Sequence, residues 1–351
     1  MNPKLKTGPY LDPVRLGELL KRIGRVRVAV IGDLCLDIYW LADLTRSELS
    51  RETPHFPLPV IEERFSPGGG ANVAANLAAL GAARVTVLGL VGRDWRAGRL
   101  RAELVRRAIS TAGLCAGAGR VTPAYAKPVR RGSSGVEYED PRLDFDNYAP
   151  PTAAEEARLI RRLERTWERV DALCVSDQLR FGSITPGVRA RLIELARSGR
   201  KPVVIDSRDR IAGFTGPAIL KPNELEAFRA LSGAGRKPSL DPADRAGLAL
   251  GFSALQKARV FMTAGAEGAF FAADGRVEHL PAVPAAPPLD IVGAGDAFLA
   301  ALTLALAAGA SGAEAAQLGN LAAAVVIRKL KTTGTASPAE LLRKLTSMEK
   351  P

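Results

Sequence analysis

Short apolar, β-branched runs alternate along this chain with longer stretches whose apolar side chains recur every three or four positions. The runs Val26–Ile31, Val85–Val91, Ala172–Ser176, Val203–Asp206, Ala218–Leu220 and Val260–Thr263 read as strands buried on both faces of a parallel sheet. The stretches Ala71–Leu80, Trp95–Ala112, Ala153–Val170, Pro186–Ser198, Asn223–Leu231 and Ala243–Lys257 predict amphipathic helices. Two more, Asp296–Ala308 and Gly312–Lys329, are rich in Ala and Leu and predict buried helices. Asp12-Pro13 reads as an N-cap with proline in the first turn, and Ser337-Pro338 starts a last helix in the same way. The alternation is that of a doubly wound α/β domain.

Two stretches break the pattern. Tyr39–Ser66 is polar and proline-bearing, and Arg120–Tyr148 carries β-type residues around the turn Gly132-Ser133-Ser134-Gly135. Both predict antiparallel strands or hairpins. Paired, they would form a small β lid from about residues 39–66 and 120–148, inserted into one domain spanning residues 1–351. A surface loop is expected over Gly233–Asp241.

Composition narrows the function only a little. Lys and Arg number 49 against 37 Asp and Glu, a formal net charge of +12 on 351 residues. Such a balance first suggests nucleic acid or an acidic substrate, but no zinc-finger, RNA-binding or basic-helix pattern accompanies it. Cys35, Cys115 and Cys174 are too scattered for a disulfide framework or a metal knuckle. With His55 and His279 the only histidines, a histidine zinc site or a Ser-His-Asp triad is poorly supported. Met1–Tyr10 has no apolar signal core, and the greasy run Phe298–Ala310 is shorter than the roughly 20 residues that span a bilayer. A cytoplasmic protein without a membrane partner is expected.

The most informative segment is Asp290-Ile291-Val292-Gly293-Ala294-Gly295-Asp296, directly before a strongly helical run. Gly293, Ala294 and Gly295 stand at a helix N-terminus, where unpaired N–H groups bind anions and glycine lets a phosphate approach the backbone. Asp296 beside them would accept the proton of an attacking hydroxyl during phosphoryl transfer. Taken alone, the same residues also describe a turn and a helix cap. A second glycine-rich segment, Ser66-Pro67-Gly68-Gly69-Gly70-Ala71-Asn72, opens another helix and lacks the Lys-Ser/Thr of a Walker loop.

Asp290–Asp296 closely resembles the D-T-x-G-A-G-D signature of the ribokinase/PfkB carbohydrate kinases, with Ile291 where that family usually has Thr. The resemblance implies an α/β, ribokinase-like, doubly wound and mostly parallel sheet with a small β lid. It implies Asp296 as catalytic base and Gly293-Ala294-Gly295 as the anion hole. Gly69, Gly70 and Asn72 match the family's sugar-binding G-G-x-x-x-N, and Asp37 its sugar-chelating Asp, with Asp33 beside it. Asn223 and Glu226 match N-x-x-E, which organises Mg²⁺ and phosphates; Asp206 is a further metal candidate. Thr263, Gly265 and Gly268 match the nucleotide loop, and Asn320 a position near the adenine. Asp177 and Lys221 fit either ligand contact or loop polarity. ATP and Mg²⁺ are the implied cofactors, with K⁺ as a further candidate.

Within that family, Val28–Trp40 and Pro57–Val60 are similar to the heptose-phosphate kinases, the kinase half of ADP-heptose synthesis. Arg142-Leu143-Asp144-Phe145-Asp146 resembles the stretch lining their heptose pocket, which makes Arg142 and Asp144 substrate candidates. Lys127 joins them as a cation for a distal phosphate, with Arg51, Arg130 and Arg131 as further cations on or near the lid. Those kinases phosphorylate the anomeric hydroxyl of D-glycero-D-manno-heptose 7-phosphate. This chain departs from them at Arg51, at His55-Phe56, at Gln178–Arg180, and at Ser207-Arg208, where D-P-K is usual. No nucleotidyltransferase domain follows, so a stand-alone kinase is expected, dimeric through the lid. The alternatives are a kinase for ribose, fructose or a nucleoside, and a catalytically weak sugar- or nucleotide-binding protein on the same fold.

Overall fold

Helix α1 (Pro13–Ile23) starts where Asp12-Pro13 predicts it, with Asp12 Oδ1 accepting from Arg15 N at 2.7 Å. The computed structural model describes residues 11–216, 218–232 and 242–348; the predicted loop Gly233–Asp241 lies outside them. There follow β1 (Arg27–Gly32), β2 (Leu34–Asp43), β3 (Val60–Gly69), α2 (Gly70–Ala79), β4 (Arg84–Val91), α3 (Trp95–Val105), β5 (Ser110–Ala116), β6 (Ala124–Arg131), β7 (Glu137–Glu139), β8 (Leu143–Phe145) and α4 (Ala153–Trp167). The second half adds β9 (Ala172–Asp177), α5 (Pro186–Arg197), β10 (Val203–Ser207), β11 (Ile219–Leu220), α6 (Glu224–Ser232), α7 (Pro242–Gln256), β12 (Arg259–Thr263), β13 (Ala269–Ala273), β14 (Arg276–Leu280), α8 (Ala294–Ala307), α9 (Gly312–Val326) and α10 (Pro338–Met348).

The large sheet has nine strands in the order β14-β13-β12-β11-β10-β9-β1-β4-β5. All neighbours from β12 to β5 are parallel; β13 and β14 close one edge as an antiparallel hairpin. Strand alternation divides the core. Val28 and Val30 pack with α1, α2, α8 and α9 on one face, while Ala29 and Ile31 pack with α4 and α5 on the other. The sheet is therefore wound on both sides, as the sequence pattern implies. Among the described residues, no helix is long and apolar enough to cross a membrane.

The structure corrects the sequence reading at several elements. The expected helix Trp95–Ala112 stops at Val105; Ala108 turns the chain at φ 57°, and Ser110–Ala116 becomes the edge strand beside β4. The β13–β14 hairpin was not anticipated, although its Asp274-Gly275 turn, at φ 50° and 72°, is a hairpin signal. The second sheet has five strands, ordered β3-β2-β6-β7 with β8 also on β6. Its β2–β6 pair is parallel rather than antiparallel, because the whole β4–β5 crossover lies between the two strands in sequence. β2 starts at Leu34 and β3 runs to Gly69, so the small sheet grows directly from the end of β1 and leads into α2. Asp37 and Gly69 lie within these strands.

Candidate active site

Gly293 breaks into the left-handed region at φ 82°, and α8 begins at Ala294. No side chain caps this helix; Ala294 N donates to Ile291 O at 3.2 Å, which leaves the N–H groups of Gly295 and Asp296 to receive an anion. A Cβ added to Gly295 would meet nothing within 4 Å, which leaves that face open to an incoming phosphate. Asp296 stands in the same turn. Its Oδ2 accepts from Asn72 Nδ2 at 2.7 Å, which joins the two glycine-rich motifs across the α2–α8 packing. Burial lifts the Asp296 carboxyl to about 7; Asp206 and Asp37 add repulsion, while Asn72 and Lys221 work against the rise. A carboxylate poised near 7 suits proton abstraction at neutral pH.

Lys221 is buried at the end of β11, with Nζ 3.3 Å from Asp206 Oδ2. Burial alone would discharge it, but Asp206 and Glu226 outweigh burial and keep it protonated. Asn223 and Glu226 lock α6 reciprocally: Asn223 N donates to Glu226 Oε2 and Glu226 N to Asn223 Oδ1, both at 2.8 Å. The N-x-x-E motif is thus a helix cap whose carboxylate also lies within the field of Asp206. Burial and Asp206 push the Glu226 carboxyl up to about 7, against Lys221, the Asn223 N–H and Arg208. Among the described residues, no group of three or more His, Cys, Asp or Glu could hold a metal by itself. Asp206 and Glu226 fit an Mg²⁺ whose remaining ligands are phosphate oxygens and water.

A cleft of about 590 Å³ opens beside the α8 N-terminus, within the usual range for small-molecule sites. Thr263, Gly265 and Gly268 line one side; Val283, Ile291 and Phe298 supply apolar wall, and Asn320 lies behind. Gly268, at φ 92°, leaves no room for a side chain: a Cβ would stand 2.3 Å from Leu280 O. Asn320 Nδ2 donates to Leu280 O and Pro281 O at 2.8 and 3.0 Å, so it anchors the cleft wall with its amide hydrogens. Ile291 is 78% exposed and leans on this cleft instead of presenting a hydroxyl.

On the other side of Asp296, Asp37 of β2 is buried, 3.3 Å from Lys127 Nζ on β6. Lys127 also reaches Tyr39 Oη at 3.3 Å. A cavity of about 530 Å³ beside them is lined by Tyr39, Lys127, Arg142, Asp144, Asp290 and Lys331. Arg142 and Asp144 hold each other at 2.6 Å on its rim.

Several candidates serve the scaffold instead. The Asp33 carboxylate accepts from the backbone N–H groups of Gln178, Leu179 and Ser183 at 2.6–2.8 Å, so it organises the loop after β9. Gly70 N donates to Asp33 O at 2.8 Å and is not open to a sugar. Gly69, at φ 52°, admits no side chain because a Cβ would stand 2.7 Å from the same carbonyl. Asp177 accepts from Ser207 Oγ at 2.7 Å and from the Arg210 guanidinium. Arg130 and Arg131 pair with Asp140 and Asp43 on the small sheet. Sequence reasoning missed Tyr39 and Lys331 altogether. Lys331 follows α9, more than 190 residues from the small-sheet strand whose Glu137 it meets, and no local pattern marks it.

An anion-receiving helix end, a carboxyl poised at neutral pH and an adjacent nucleotide-sized cleft define a phosphotransferase with a ribokinase-like fold. Solved structures agree on the fold. The phosphofructokinase-2 of Escherichia coli in complex with potassium matches with a TM-score of 0.69 and 20% identity over 93% of this chain and 100% of that one. The ribokinase of Arabidopsis thaliana, complexed with ribose and ATP, matches with a TM-score of 0.66 and 20% identity over 92% and 99%. The pfkB family carbohydrate kinase profile matches residues 27–340; the chain belongs to this family and is a sugar kinase. Its curated relatives include the bifunctional protein HldE of Caulobacter vibrioides, 35% identical over 330 residues, 90% of this chain and 63% of that one. The bifunctional protein HldE of Geobacter metallireducens is 35% identical over 319 residues, 90% and 62%. The chain thus spans a little under two thirds of the length of these relatives.

Proposed function

We propose that this sugar kinase transfers the γ-phosphoryl group of Mg·ATP to a hydroxyl of a phosphorylated sugar, with the anomeric hydroxyl of D-glycero-D-manno-heptose 7-phosphate as first candidate. The observation that carries the transfer is Asp296, raised to about 7 and held by Asn72 at the open end of α8. Asp296 takes the proton of the acceptor hydroxyl as that oxygen attacks phosphorus in line. The first-turn N–H groups of α8 and buried Lys221 meet the charge on the transferred group. Bound Mg²⁺ would be held near Asp206 and Glu226 and neutralise phosphate charge. The base of ATP would lie against Val283, Ile291 and Phe298, with Thr263, Gly265 and Gly268 along its edge.

The acceptor would lie under the small sheet against Asp37 and Asn72. Lys127, Arg142 and Lys331, set among Glu139, Asp144 and Asp290 around the 530 Å³ cavity, are the cations that would meet a distal phosphate on the acceptor. The similarity of the first half to the heptose-phosphate kinases supports the same reading. The exposed Leu58, Val60, Ile61 and Val136 support a homodimer through the lid sheet. ATP as donor makes the cytoplasm the site of action. The test is purified protein with Mg·ATP and a panel of heptose 7-phosphate, fructose 6-phosphate, ribose and fructose. Heptose 7-phosphate should give the highest kcat/KM; a higher value with a neutral sugar overturns the acceptor. Asp296→Asn should lower kcat by at least about 10²-fold with nucleotide binding kept.

A further inference from the structure

We infer that the guanidinium of Arg208 contacts the phosphoryl group in transfer, at the seam between the nucleotide and acceptor sites; this rests on the phosphotransfer reading above. Arg208 directly follows β10, at the carboxyl end of a central strand, where α/β sheets bind ligands. Val204 packs into the core on the α8 face and Ile205 into the opposite core, so Asp206 continues the Val204 row toward α8; Arg208 lies in the turn that follows, two positions beyond Asp206.

The backbone around Arg208 is pinned. Its N–H donates to Asp177 O at 3.0 Å, Lys221 N donates to Ile205 O at 2.8 Å, and Arg210 N to Ser207 Oγ at 3.2 Å. Ser207 Oγ in turn grips Asp177 at 2.7 Å. The Arg208 residue itself is exposed, and among the described residues no carboxylate lies within ion-pair distance of it. Its positive field still reaches both partners of the seam, Glu226 of the phosphate motif and Tyr125 of the small sheet.

Charge bookkeeping explains the need. Asp37, Asp206, Glu226 and Asp296 crowd the site, and the lysines Lys127 and Lys221 are already paired with Asp37 and Asp206. Arg142 is paired with Asp144. An incoming triphosphate adds further negative charge. Beyond bound Mg²⁺ and Lys221, whose charge is shared with Asp206, an anchored backbone whose guanidinium has no ion-pair partner among the described residues supplies a further cation, and the planar fork of arginine suits phosphate oxygens better than a lysine point charge.

The experiment measures binding of ADP with aluminium fluoride and Mg²⁺, a mimic of the phosphoryl group in flight, to wild type, Arg208→Ala and Arg208→Lys. Arg208→Ala should bind the mimic about 10²–10³-fold more weakly and lose a similar factor in kcat, as when one charge-stabilising donor is removed. ADP alone and the acceptor KM should change by less than about threefold, and added guanidinium ion should restore part of kcat. Arg208→Lys should fall between. Matching thermal melts establish that the variants fold. Unchanged affinity for the mimic overturns the inference. So does a raised acceptor KM with kcat kept, which would make Arg208 a contact to the acceptor alone. A wild type that phosphorylates no sugar phosphate overturns the acceptor reading, while the mimic comparison still decides Arg208.

Discussion

Burial raises the Asp296 carboxyl to about 7, and the hydrogen bond from Asn72 keeps it from rising further. Asn72 is buried, and its amide donates to the Asp296 carboxylate at 2.7 Å, stabilising the ionised form. Asn72→Ala removes that donor. A hydrogen bond to a charged group contributes about 1.5–3 kcal/mol, and one pKa unit corresponds to about 1.4 kcal/mol, so loss raises the Asp296 pKa by about one to two units. Asp296 keeps part of its surface open to the cleft, and water replaces some of the lost bond, so about one unit is expected. The base must be ionised to act. With a pKa of about 7 it is half ionised at pH 7; one unit higher, about one molecule in eleven is ionised, a fivefold loss. The assay is kcat/KM for the acceptor from pH 5.5 to 9.5, followed by ADP release. The acid limb should move up by about one unit, with most of the rate recovered at pH 9. A uniform loss at every pH, with the limb unmoved, refutes the reasoning and leaves Asn72 as a substrate contact only.

Two further outcomes test the scaffold. Lys221→Met leaves Asp206 beside Glu226 and Asp296 with no buried countercharge, and should destabilise the fold by about 3–5 kcal/mol at pH 8. The loss should shrink at pH 5, because Glu226 and Asp296, both near 7, are then protonated and repulsion falls; equal losses in urea melts at both pH values would contradict this account. Gly69→Ala forces a side chain into φ 52°, ψ −132° and against Asp33 O at 2.7 Å, so urea denaturation should show a loss of at least about 2 kcal/mol. An unchanged midpoint would mean the β3–α2 junction yields more easily than its hydrogen bond to Asp33 implies.

Local pattern determined a large part of this protein. A parallel strand buried on both faces needs an uninterrupted apolar run, so Val28–Ile31 and Leu173–Val175 declare themselves without their neighbours. A helix end that receives phosphate needs glycine and an acid within one turn, so Gly293–Asp296 is readable as four adjacent residues. Tertiary structure decided what each polar group has left to offer. Asp33 and Asp37 are separated by four positions and look alike in sequence, yet Asp33 is saturated by the backbone N–H groups of a loop 145–150 residues away, while Asp37 faces Lys127. Asp177 is held by Ser207 and Arg210, whereas Arg208 between them has no ion-pair partner among the described residues. Lys331 joins the site only because α9 delivers it to the small sheet. The physical reason is the same in each case. Propensity and periodicity act over one or two turns of chain, but the partners that satisfy a buried carboxylate come from wherever the sheet order brings them.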